Sequence, residues 1–226
     1  MGNDRYSRHE LVAQIGSRAK EMRTKTVTII GLSGVGSAIS EMLVRTGINV
    51  RIVDKGRILS HDLQQTALYL EEDLDKFKAK QGKKRLEDIN KSVQVKAFHE
   101  DLTETNIYLV DADLVIDCSN DIKVSLIIDK YCFKKKIPMI YSYVAGTQGQ
   151  IFVIDKNTAT SLNSISVFVK NMRISEKGIM SATIHMAAGL IAAEAAKILL
   201  KHPVEKNLIS FDVWNNTLEK INVKKK

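Results

Sequence analysis

Two cysteines and two prolines in 226 residues are few, and each shortage excludes something. Cys118 and Cys132 make neither a disulfide framework nor a paired CxxC zinc set, so no zinc site is expected. Cysteine this scarce fits a reducing compartment, and the expected location is cytoplasmic. Two prolines leave no proline-rich linker, and no internal repeat or low-complexity tract is visible. Aromatic residues are 6% of the chain and do not interleave with lysines as single-strand nucleic-acid binders require. No apolar run reaches the length of a membrane span, because the longest, 184–200, is broken by His185, Glu194 and Lys197. The first ten residues are polar and charged, which predicts no secretory leader, and they lack the Ser/Thr of a myristoylation site.

What is present describes a globular α/β chain. Hydrophobic residues are 44% and charged residues 27%, enough to bury a core without staples. The net charge is +8, with lysine clusters at 76–85, 134–136 and 224–226, read here as a solvated surface. Apolar β-rich runs at 26–30, 49–53, 93–98, 113–117 and 138–144 alternate with helical patterns at 35–46, 78–90 and 121–135. Gly146 and Gly149 read as turns, and 150–154 continues as a strand. After a polar loop at 156–164, a strand is expected at 165–169, a buried Ala-rich helix at 181–200, and a hairpin of 208–213 with 217–223. The expected fold is α/β: a Rossmann-like, mostly parallel sheet with helices on both faces and antiparallel C-terminal strands. It forms a single domain, 1–226, with an N-terminal helical arm (1–25), a nucleotide-binding core (26–154), and a long helix with hairpin (155–226).

The most informative segment runs from Thr26 to Gly36, where a β-rich run empties into Gly31, Gly34 and Gly36 and a helix follows. Glycines let backbone approach phosphates, and a helix start offers free N–H groups and positive dipole charge. Asp54 ends the next strand at the distance where an acidic residue holds a ribose hydroxyl. The spacing G-x-x-G-x-G differs from the dinucleotide fingerprint, so the residues indicate a nucleotide without specifying NAD. Asp117-Cys118-Ser119-Asn120-Asp121 follows a strand end, where a carboxylate holds Mg²⁺ between phosphate oxygens or, equally, a polar residue caps the next helix. Arg5-Tyr6-Ser7-Arg8 carries two guanidiniums suited to phosphate, and Lys78 taken alone is one lysine of a charged helix. Cys118, Cys132 and His185 read as buried packing residues.

In order along the chain, Arg5-Tyr6-Ser7-Arg8-His9, the glycine run, Val53-Asp54, Leu63-Gln64-Gln65, the stretch from Asp73 to Lys78, Ile89-Asn90, Asp117 to Asp121, and Gly178-Ile179-Met180 resemble the ThiF/MoeB superfamily, including HesA. That resemblance covers nearly the whole chain. It implies ATP as the nucleotide, with Mg²⁺, and a small ubiquitin-like or sulfur-carrier protein whose C-terminal glycine is activated as an acyl adenylate. It implies that Gly31, Gly34 and Gly36 form the phosphate-side turn and that Asp54 holds the ribose. Lys78 would sit on the phosphates, and Arg8 would reach the triphosphate, often from the partner subunit of a dimer. Gln64 and Asp117 would line the nucleotide site, and Asp121 would act in catalysis and hold the metal ion.

The chain departs from the family at several positions. The family's Asn-Leu-Gln-Arg is Asp62-Leu63-Gln64-Gln65 here, and the metal-binding Asp position holds Asn120, so Asp121 serves only by a one-residue shift. An arginine common four residues beyond Asp121 is Ser125. No cysteine follows Cys132, so the family's thioester or persulfide cysteine has no counterpart. Two readings are therefore carried: an adenylating enzyme that stops at the adenylate, and a catalytically degraded subunit of a heterodimer with a paralogue. An NAD-dependent oxidoreductase is a minor third. The partners expected are the carrier protein and a second subunit, in a homodimer or heterodimer, without membrane or nucleic acid.

Overall fold

In the computed structural model, residues 5–155, 161–162 and 177–223 are described. Strands β1 (Thr26–Ile30), β2 (Asn49–Val53), β3 (Val95–Phe98), β4 (Leu114–Asp117) and β5 (Met139–Ala145) pair in parallel. Strands β6 (Gln148–Ile154), β7 (Leu208–Asp212) and β8 (Thr217–Ile221) add antiparallel pairs beyond β5. The sheet order is β3-β2-β1-β4-β5-β6-β7-β8. The chain leaves β1 in one direction to build β2 and β3 and later returns to β1's other side to build β4. The gap between β1 and β4 is therefore the switch point where α/β sheets place their ligand crevice.

Helices lie on both faces. After α1 (Ser7–Glu10) and α2 (Ala19–Arg23), helix α3 (Gly34–Arg45) covers one face together with α5 (Lys78–Ile89) and α7 (Ser181–Leu199), while the short α4 (Ser60–Leu63) lies in the connection before α5. Helix α6 (Ile122–Lys135) covers the other face. Strand alternation divides the core accordingly. Ile140 and Val144 of β5 pack on the α3 and α7 side, whereas Met139, Tyr141 and Tyr143 pack with Ile128 and Cys132 of α6. Parallel strands buried on both faces explain why β4 is apolar from Leu114 to Ile116.

Several expectations change. Gly149 is a strand residue opposite Val144 and Phe211, not a turn, and a Cβ there would strike the Phe211 ring. Gly146, at φ +58°, does turn the chain. The strand expected at 165–169 lies outside the described residues. Helix α7 is long and apolar enough, by length and composition, to cross a membrane, which corrects the reading that no run reaches that length. In this fold it packs against α3 and against β4, β5 and β6 of the sheet, and its buried face carries Glu194, whose Oε1 accepts from Lys197 Nζ at 2.6 Å. His185 is exposed rather than buried and sits with Ala182, Gly189 and Ala193 on the outer face of α7. Alanine on that outer face is what makes the helix read as apolar all round.

Candidate functional site

The glycine turn is built by backbone approaches that no side chain permits. Gly31 stands at φ +85°, and a Cβ there would lie 2.6 Å from the Cys118 carbonyl oxygen. A Cβ on Gly36 would collide with the Gly31 carbonyl oxygen. The turn therefore packs β1 tightly against both the end of β4 and the first turn of α3. Helix α3 starts at Gly34, directly after the cleft residue Ser33, and the Ser33 side chain makes no capping bond to the N–H groups of its first turn. Such a start suits an anion.

A cleft of about 290 Å³ opens at the carboxyl ends of the parallel strands. Its walls include Gly31 and Ser33 after β1, Asp54 to Gly56 after β2, Glu100 and Asp101 after β3, and Ser119 and Asp121 after β4. Asp54 is half-buried and fixed by two backbone donors. Leu32 N–H donates to one carboxylate oxygen and Gly56 N–H to the other, each at 2.6 Å. Those bonds lock the carboxylate to the glycine turn while the residue still lines the cleft.

Lys78 is the first residue of α5, and it is 7% exposed. Its stem passes over Gly56, 3.6 Å from where a Cβ would stand. Its Nζ donates to Ser33 Oγ at 2.9 Å and to Asp62 Oδ1 at 2.8 Å. Asp62 is buried, and its other oxygen accepts Leu59 N–H at 2.9 Å, closing the first turn of α4. Tyr69 Oη donates to the Leu32 carbonyl at 3.0 Å and ties the same region to the glycine turn. Glycine turn, Asp54 and Lys78 thus converge from three distant sequence positions.

The remaining sequence-predicted residues divide. Asp121 lines the cleft, and its Oδ1 accepts Lys123 N–H at 2.9 Å as the N-cap of α6. Its neighbour Asn120 is exposed and holds a positive φ of 54°, so the short turn presents Asp121, not residue 120, at the helix start. Asp117 does not line the cleft. It is fully buried beneath it, with Ser119 N–H donating to Oδ1 at 2.9 Å, and burial raises its carboxyl above the ordinary value against the opposing pull of Ser125 and Ser119. Gln64 is exposed on the flank of α4 and is not among the cleft residues. Gln65 lies inward instead, with Oε1 3.5 Å from where a Gly34 Cβ would stand, so the position of the family's arginine faces the start of α3 without a charge. Gly34 also takes the Ile184 side chain of α7, whose Cδ1 would be 2.6 Å from that Cβ.

Arg8 is exposed on α1 and is not part of this cleft. The arm that carries it packs at the far end of α3 and α5: Arg5 donates to the Ile89 carbonyl at 3.0 Å, and the Tyr6 hydroxyl accepts from Asn90 Nδ2 at 2.9 Å. Since α3 begins at the glycine turn, its twelve residues separate the two ends by roughly 18 Å. Lys55, Glu100 and Asp101 were not singled out from the sequence. They follow the ends of β2 and β3, and the rule that ligands meet strand carboxyl ends could have pointed to them. The four cleft carboxylates, Asp54, Glu100, Asp101 and Asp121, face two ammoniums, and both ammoniums are paired: Lys55 with Asp101 at 2.7 Å and Lys78 with Asp62.

A mostly parallel sheet whose switch-point crevice joins a glycine turn, a backbone-locked carboxylate and a buried lysine defines a Rossmann-like α/β fold. The family model described as ThiF family matches residues 6–226, and the chain belongs to that family. It is 32% identical over 220 residues to a sulfur carrier protein ThiS adenylyltransferase of Bacillus subtilis, covering 94% of this chain and 66% of that protein. It is 26% identical to a molybdopterin-synthase adenylyltransferase of Haemophilus influenzae, covering 90% of this chain and 86% of the relative. Among solved structures, Escherichia coli MccB with ATP superposes at a TM-score of 0.83 with 20% identity, over 98% of this chain and 72% of that one. The structural likeness establishes the Rossmann-like fold.

Proposed function

We propose that this chain is an ATP-dependent adenylyltransferase that activates the C-terminal glycine of a small ubiquitin-like or sulfur-carrier protein. The observation carrying this reading is the meeting of Gly31, Asp54 and Lys78 in one cleft at the β1/β4 switch, in a chain whose relatives include a sulfur carrier protein ThiS adenylyltransferase and a molybdopterin-synthase adenylyltransferase. A carrier carboxylate oxygen attacks the α-phosphorus, the bond to pyrophosphate breaks, and an acyl adenylate forms. Negative charge concentrates on the phosphates in that step, and fixed cations and N–H dipoles are the main means of stabilising it. The α3 start and Lys78 supply those dipoles and that charge, and Asp54 orients the ribose. Mg²⁺ fits the donor set. It needs one or two carboxylates with phosphate oxygens and water, and Asp121 stands at the cleft wall with Oδ1 already fixed by the helix cap. When bound, the ion neutralises phosphate charge. Arg8, remote from its own cleft, acts from a second subunit in a dimer.

One observation favours a second reading, the degraded subunit of a heterodimer: Gln65, not arginine, faces the start of α3. ATP–pyrophosphate exchange with candidate carriers ending in Gly-Gly separates the two. Exchange is expected, and Lys78→Ala is expected to reduce it by about 100-fold. ATP binding without exchange for every carrier supports the degraded subunit, and tighter binding of NAD than ATP overturns both.

A further inference from the structure

We infer that Asp62 is a charge clamp on Lys78 that sets how strongly the cleft takes a triphosphate. The inference rests on the nucleotide reading above and goes beyond it, by assigning a role to Asp62, which that reading does not use. Asp62 and Lys78 form a buried ion pair at 2.8 Å, with Asp62 1% exposed. Lys78 reaches the cleft wall, where its ammonium also bonds Ser33 Oγ at the glycine turn. A phosphate entering there competes with Asp62 for the same donors. The competitor is held in place, because its second oxygen is bound by Leu59 N–H at 2.9 Å.

The rest of the cleft does not compensate. Its other ammonium, Lys55, is paired with Asp101, and Asp54, Glu100 and Asp121 complete the carboxylate lining. A chain of net charge +8 thus presents an acidic cleft, and Lys78, the buried cation on the cleft wall, is already paired with Asp62. An amide at position 62 removes the negative charge at nearly unchanged volume. Its oxygen can still accept Leu59 N–H, which turns its NH₂ toward the ammonium and leaves Lys78 free for phosphate. Asp62 is therefore a positioning residue that acts through Lys78 on nucleotide affinity.

The test is calorimetric titration of wild type, Asp62→Asn, Lys78→Met and the double variant with ATP and with adenosine, at fixed salt. Asp62→Asn is expected to bind ATP about tenfold more tightly while leaving adenosine unchanged. The gain is expected to vanish in the Lys78→Met background. In exchange assays the KM for ATP is expected to fall while kcat does not rise. Equal or weaker ATP binding by Asp62→Asn overturns the clamp, as does a gain that survives Lys78→Met or one shared by adenosine. Asp62→Ser, which keeps a short acceptor near Leu59 without the charge, serves if Asp62→Asn does not fold. Wild-type binding in the same series separates the two failures. A wild type that binds ATP alongside an unimproved variant sinks the clamp alone, whereas a set in which no protein binds ATP sinks the nucleotide reading and the clamp with it.

Discussion

At the scale of single residues, burial decides which groups are chemically available. Cys118 and Cys132 are both buried, and burial pushes each thiol up to about 12. At that value each sulfur stays a protonated thiol near neutrality. Alkylation of the native chain with iodoacetamide at pH 8 is expected to label neither cysteine, and both should react in denaturant. Stoichiometric native labelling would contradict this. Asp73 behaves differently. Burial alone would raise its carboxyl, but Arg85, Leu70 N–H and Lys76 outweigh it and hold it below the ordinary value. It anchors the turn that leads into α5 through Arg85 at 2.8 Å and Gln81 at 2.6 Å. A depressed carboxyl contributes stability that is present above its unfolded pKa and lost as pH falls through the folded one. Asp73→Asn is expected to cost about 3 kcal/mol at neutral pH and to flatten the acid limb in urea unfolding followed from pH 7 to pH 2. An unchanged acid limb would contradict the assignment. Asp117, raised by burial, has the opposite sign: its contribution fades as pH rises through its folded value, so comparison of Asp73→Asn with wild type isolates the Asp73 effect. Cysteine burial was legible from the apolar neighbours of both residues. The inward aim of Asp117 was not, because the motif gives a residue's order along the strand and not the side toward which its carboxylate turns.

At the scale of elements, the glycine turn is the part of the site most fully written in the sequence. A Cβ at Gly36 meets the Gly31 carbonyl, and Gly31 is pinned by its N–H bond to the Val53 carbonyl at 2.9 Å. Gly36→Ala is therefore expected to destabilise by about 2–4 kcal/mol. Gly189→Ala, on the outer face of α7 with nothing within 4 Å of its Cβ, is expected to stabilise by about 0.5–1 kcal/mol. Thermal unfolding of both variants checks the pair, and equal effects would contradict the packing described. The strands at 26–30 and 49–53 were legible to the residue, because β-branched runs there end on glycine and Asp54. Helix orientation was less legible. Alanine satisfies both a buried and an exposed face, so the sequence pattern of α7 could not show that His185 points outward. Asp62 was visible as a substitution. Its pairing with Lys78, sixteen residues away, required the path of the connection between α4 and α5.

At the scale of the whole molecule, the site described in one chain is cationically poor. Gln65 stands where an arginine would face the α3 start, both cleft lysines are paired, and Arg8 lies at the opposite end of α3. If a second copy supplies Arg8, mixing an Arg8→Ala chain with a Lys78→Ala chain is expected to restore exchange activity that neither variant has alone. A mixed dimer then contains one cleft with both residues intact. No restoration in mixtures shown to have exchanged subunits would contradict supply across the interface. Fold class was legible at this scale because the β-α alternation and the late hairpin each match observed elements. The meeting of residues 31, 54 and 78 depended on the switch-point order of the sheet, which no local pattern carries. The most direct test of that meeting is a crystal structure of the chain with a non-hydrolysable ATP analogue. The triphosphate should lie along the Gly31 turn within hydrogen-bonding reach of Lys78, with the ribose on Asp54. A nucleotide seated elsewhere, or a cleft left empty at saturating analogue, would contradict it.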